Sequence, residues 1–212
     1  MADHNPRFYF RIAFLLSLFT IAANILEGLV STALGARDET LALFGFGVDS
    51  FIEVISAAGI AHMILRIRRN PDSPRSGFEA TALRVTGTAF YLLAAGLVLG
   101  AAVNLLAGRA PQSTLWGVVV SLISISVMTG LVAAKRFVGR RLRSAPILAD
   151  ANCTMVCIYM SIVLLASSAL FELTGFGLLD AFGALGLAAF SFREGRESFE
   201  TARGTSCACE AA

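Results

Sequence analysis

Six apolar runs, each long enough to cross a bilayer, leave this chain of 212 residues little choice of fold. They fall at 10–34, 40–65, 81–106, 114–137, 147–170 and 175–192, and a spanning helix needs about 20 apolar residues. In lipid, backbone N–H and C=O groups must be paired within the protein, and a helix pairs them inside each run. The expected fold class is an all-α membrane protein, a six-transmembrane-helix bundle. Only 15% of the residues are charged, against about 25% in soluble domains. The separators are short: GARDE at 35–39, RIRRNPDSPRSG at 66–77, AGRAPQ at 107–112, KRFVGRRLRSAP at 135–146 and ELTG at 172–175. The sixth run, containing FGLLDAFGALGLAAF, is short and glycine-rich, so its ends are the least defined.

Residues 1–9 then form an N-terminal tail, 10–192 the transmembrane domain and 193–212 a C-terminal tail. The first apolar run is too long for a signal-peptide core and reads as a retained span. About twenty polar residues after the sixth run are too few to bury a core of their own. Of the 17 Lys and Arg residues, only Arg37 and Arg109 lie in the first and third connections; the other fifteen flank the opposite ends of the runs. The positive-inside rule places both termini in the cytoplasm. Basic loops this short, tethered at a bilayer, argue against nucleic acid as a partner. No G-x-x-x-x-G-K-[ST] and no G-x-G-x-x-G occurs, so no nucleotide is expected as an energy source and no cofactor is required. Four cysteines are too few, and too oddly placed, for a disulfide scaffold. An Ala-rich composition favouring Arg over Lys suggests a bacterial inner (plasma) membrane.

Ionisable side chains inside the runs carry the chemistry. FGFGVDSFIEVIS, at 44–56, holds Asp49 and Glu53 four residues apart, on one face of a helix. An ionised acid near the bilayer centre costs at least ~2.5 kcal/mol, so intramembrane acids face a bundle interior and mark function. The fifth run reads ILADANCTMVCIYMS, with Asp150, Cys153 and Cys157 on one stripe. The helical rise puts the cysteines about 9–15 Å from that run's cytoplasmic end, where they can meet Asp49 and Glu53. Two carboxylates and two thiols make a four-ligand set of the tetrahedral type Zn²⁺ favours. A disulfide fits less well: helical i, i+4 Cβ atoms are ~5–6 Å apart, and a disulfide wants ~3.5–4.5 Å. The alternative for the cysteines is simple packing as small hydrophobes. Asn24 and Glu27 share a face of the first run, and Asp180 sits in the sixth. These three and Asp150 are candidate auxiliary ligands or proton acceptors. The competing roles are holding helices together for Glu27 and Asp180, and capping the fifth helix for Asp150. Cys207 and Cys209 in the tail form a weak metal-binding candidate, two thiols without further ligands.

An acid pair in the second of six spans and a second pair of the same spacing in the fifth resemble the cation diffusion facilitator superfamily. FGFGVDSFIEVIS is similar to its second span, ILADANCTMVC to its fifth, and LLDAFGALGLAAFSFREGRESF to its sixth; the likeness runs from about Phe8 to Phe199. The resemblance implies a homodimer that exports divalent cations, chiefly zinc, by exchange with protons and alternating access. It places the transport site at Asp49, Glu53, Cys153 and Cys157. Members usually carry His/Asp or Asp/Asp at the fifth-span pair, and most continue into a cytosolic metal-binding domain. A compact branch without that domain is expected here. Thiolates favour Zn²⁺, Cd²⁺ or Cu⁺ over Mg²⁺ and Mn²⁺, and two carboxylates suit a dication, so Zn²⁺ and then Cd²⁺ are the expected cargo. Four negative ligands so close do not all stay ionised without metal, so loading should release protons. A membrane-embedded metal sensor or regulatory subunit would use the same residues without transport.

Overall fold

The computed structural model describes residues 6–38, 40–70, 77–108 and 111–203, and among them it contains helices and no strands. There are six helices: α1 Pro6–Arg37, α2 Leu41–Arg69, α3 Gly77–Ala107, α4 Leu115–Leu142, α5 Ala145–Thr174 and α6 Leu178–Arg203. Each covers one apolar run and continues past it into polar sequence, because a helix once begun gains a backbone hydrogen bond per added residue. The turns use residues suited to them. Arg143 (φ 50°) and Gly175 (φ 69°) take the left-handed conformation that closes α4 and α5, and Pro146 stands in the first turn of α5, where its missing N–H costs nothing.

Successive helices run antiparallel. Ala13, Ile64, Val138 and Ile147 cluster where α1 and α5 begin and α2 and α4 end. At the other end, Ala42, Leu43 and Phe46 of α2 pack with Leu97 of α3, Leu164 of α5, and Ala184 and Leu187 of α6. The α1–α2 and α4–α5 hairpins face one another, and α3 pairs with α6 alongside. The α1–α2 seam is tight: a Cβ added to Gly47 would lie 2.6 Å from the backbone nitrogen of Thr32. Glycine there lets the two helices approach closely enough for α1 to bring Asn24 and Glu27 against α2.

The exterior is apolar. Leu26, Leu92, Leu99, Leu106, Leu122 and Ile123 are all exposed, a surface that in water would be an aggregation liability and in a bilayer is the lipid face. Five helices, α1 to α5, contain stretches long and apolar enough to cross a membrane. In α6 the apolar stretch between Asp180 and Arg193 spans only 12 residues, and that helix leans on α3 for much of its length. The molecule is an all-α membrane bundle.

Candidate metal site

Asp49 sits at the third turn of α2, is 2% exposed, and its Oδ1 has no hydrogen-bond partner. One turn further on, Glu53 has both carboxylate oxygens occupied. The Cys157 thiol of α5 donates to Oε1, and Asn24 Nδ2 of α1 donates to Oε2 at 2.9 Å. Asn24 is itself fully buried, with its Oδ1 unpartnered. Beside this pair, Ser50 Oγ donates to Glu27 Oε1 at 2.9 Å. Ser161 Oγ of α5 lies 3.0 Å from Ser124 Oγ of α4. Four helices thus contribute to one polar belt within an apolar bundle.

Glu53 of α2 and the Cys157 thiol of α5 therefore meet, and Asn24 joins them with Glu27 nearby. Cys153 lies one turn before Cys157 on α5, and its side chain falls outside the described residues, as do Cys207 and Cys209. Cys157 is unbridged and 6% exposed, packed against Met128 and Leu131. Among the described residues, no three His, Cys, Asp or Glu side chains gather closely enough to hold a metal ion. Glu53 and Cys157 touch, while Asp49 stands a turn away along α2.

Two predicted auxiliary residues are engaged elsewhere. Asp150 accepts from Lys135 Nζ at 2.9 Å, and the same ammonium donates to Thr154 Oγ1 at 2.9 Å. This is an ion pair between helices, with Lys135 1% and Asp150 6% exposed, and Ser144 rather than Asp150 is the N-cap of α5. Lys135 reads in the sequence as the start of a basic loop. Instead α4 runs on to Leu142 and carries it inside. Opposite charges roughly equidistant from the turn at Arg143 and Ser144 were the available signal. Asp180 accepts from the backbone N–H of Leu41 at 2.9 Å (Oδ2) and of Ala42 at 3.2 Å (Oδ1). It satisfies the first free donors of α2, where an acid is favoured, and stands far along α2 from Glu53. Ser121 and Ser126 bond back to their own helix, whereas Ser124 pairs with Ser161. Replacing Asp180 by Ala should cost about 1 kcal/mol of stability, the usual worth of a lost helix cap, and leave ion movement per folded molecule intact. Thermal midpoint and flux, measured on the same preparation, check both halves.

The bundle thus sets buried acids of α1 and α2 beside a thiol of α5, inside a multi-pass helical membrane protein. The sequence profile described as the cation efflux transmembrane domain matches residues 17–203. The chain belongs to this family of cation diffusion facilitators, and it is a metal-cation transporter of that secondary type rather than an enzyme. Comparison with curated proteins gives no match.

Proposed function

We propose that the chain exports a divalent transition-metal cation, Zn²⁺ foremost and Cd²⁺ next, from the cytoplasm in exchange for protons. The observation that carries this reading is the meeting of Glu53 and Cys157 across α2 and α5, with the unpartnered Asp49 one turn away. A carboxylate beside a thiol suits zinc and cadmium better than magnesium or manganese, which take all-oxygen sites. Cys153, one turn from Cys157 on the same helix, would supply the fourth ligand once α2 and α5 close around the ion. Asn24 holds Glu53 from behind, the supporting role that outer groups play at metal sites.

The proton step follows from charge. Asp49, Glu53 and Glu27 face a small volume of low dielectric together with a thiol, and so many neighbouring charges do not persist without a cation. In the empty protein the Cys157 hydrogen bond to Glu53 already needs a proton between sulfur and oxygen. A dication arriving there displaces it, and the proton gradient can then drive metal outward. Arginines and Lys135 concentrate at the end where α1 begins and α6 ends, and the positive-inside rule supports a cytoplasmic position for that end. We take the working unit as a homodimer in a bacterial inner membrane. The test is a zinc titration of purified protein in weak buffer with a pH indicator. Protons should appear in step with bound zinc, and zinc binding without proton release would remove the coupling mechanism.

A further inference from the structure

Glu194 takes no part in the site above, yet its carboxylate is placed as if it should. It extends a buried stripe of α6 formed by Asp180, Ala184, Leu187 and Ser191. That stripe faces α2: Asp180 bonds the N–H groups of Leu41 and Ala42, and Ala184 and Leu187 share a core with Ala42, Leu43 and Phe46. The two helices run parallel from this common start, so depth can be counted along both. At the helical rise per residue, Glu53 lies ~17 Å below the start and Glu194 ~21 Å. Glu194 is therefore close to one turn beyond Glu53, toward the end where α1 begins. Its Oε1 is buried without a hydrogen-bond partner, as is Oδ1 of Asp49, itself 2% exposed. Asp49, Glu53 and Glu194 lie within electrostatic reach of one another. On the preceding residue, Arg193 Nε bonds Glu197 at 3.0 Å, and the charges of both act on Glu194 without either giving its Oε1 a hydrogen bond.

A buried carboxylate oxygen left unmatched costs about 1–3 kcal/mol or more, and native proteins keep few of them without a reason. Here two unmatched acid oxygens lie about two turns apart in depth, with Glu53 between them. A cation is the missing partner common to both. We propose that Glu194 is the loading carboxylate of the transporter, taking a hydrated divalent cation on the cytoplasmic side and passing it to Asp49 and Glu53. The inference rests on the export reading for its direction. One carboxylate without a thiol holds such an ion loosely, as a station on a conduction path must if the ion is to move on. Its negative charge at the mouth also raises the local concentration of cations and their rate of entry.

The test compares Glu194→Gln and Glu194→Asp with wild type, using Zn²⁺ alone as probe. In proteoliposomes Glu194→Gln should raise KM for zinc by about tenfold, the lower range for lost charge focusing, with the loss falling on KM rather than Vmax. Glu194→Asp, which keeps the charge, should recover most of it. In detergent, stopped-flow transfer of zinc from a chromophoric chelator should be slower to the Gln variant, with the dissociation rate unchanged. A purely structural Glu194 would instead lower the thermal midpoint and leave association alone. If the wild type binds zinc but moves none, the export reading fails and the association rate still decides the role of Glu194. An unchanged association rate in Glu194→Gln overturns the proposal whatever the flux.

Discussion

Zinc flux through the Asp49→Asn variant is expected to fall by at least about a hundredfold, because even outer-shell partners of a metal site are worth 10–100-fold. The change keeps the shape of the side chain and removes its charge, so the fold should survive: Asp49 Oδ1 has no hydrogen bond to lose. Thermal midpoint should therefore stay level or rise while transport disappears, since a neutral amide is cheaper to bury than a carboxylate. Glu53→Gln should cost transport as heavily, but by a different route. Its oxygens receive Cys157 and Asn24, and an amide nitrogen in place of one oxygen turns an acceptor toward one of those donors into a second donor. Radiometric or fluorescent zinc uptake, normalised to folded protein, measures both. An Asp49→Asn variant that transports normally would make this acid a packing residue.

The second large effect is on stability. Lys135→Met leaves Asp150 buried without its cation, and removing one member of a buried ion pair costs about 3–5 kcal/mol. That is a large fraction of the total stability of an ordinary protein. The double variant Lys135→Met/Asp150→Leu removes both charges and should regain most of the loss, since well-packed apolar residues often replace a buried pair at no net cost. Thermal unfolding in detergent across the four-member cycle gives the coupling directly. Additive single effects would show that the 2.9 Å contact between Lys135 and Asp150 contributes no pairwise energy.

What the sequence conveyed and what it hid divide along a physical line. Helix number and order were legible because lipid demands an unbroken apolar run for each span, and the helices cover all six runs. Their ends were not, since backbone hydrogen bonding carries a helix beyond its apolar part. Thus α4 reaches Leu142 and α6 reaches Arg203, past the runs ending at 137 and 192. That extension is why Glu194, read as tail, stands on helix, while Lys135, where the fourth run meets its basic loop, lies inside α4. That the second and fifth helices meet through Glu53 and Cys157 was legible from helical spacing and an estimate of depth, and Asn24 and Glu27, which share a face of the first run, stand beside that contact. For Asp180 a helix-holding role was one of the two readings open in the sequence, but its partners were not legible, because they are the first N–H groups of α2, more than a hundred residues away in the chain.

The most direct test of the central claim is zinc and cadmium flux in proteoliposomes under an inward proton gradient, comparing wild type with Cys153→Ser/Cys157→Ser. A mixed carboxylate–thiolate transport site predicts proton-driven flux of both ions in the wild type. It also predicts a heavy loss in the serine variant, steeper for cadmium, the softer of the two. Flux of zinc and cadmium that survives the serine changes would contradict it and make the thiols packing residues. Zinc bound but not moved by the wild type would contradict export itself and leave a membrane-embedded sensor.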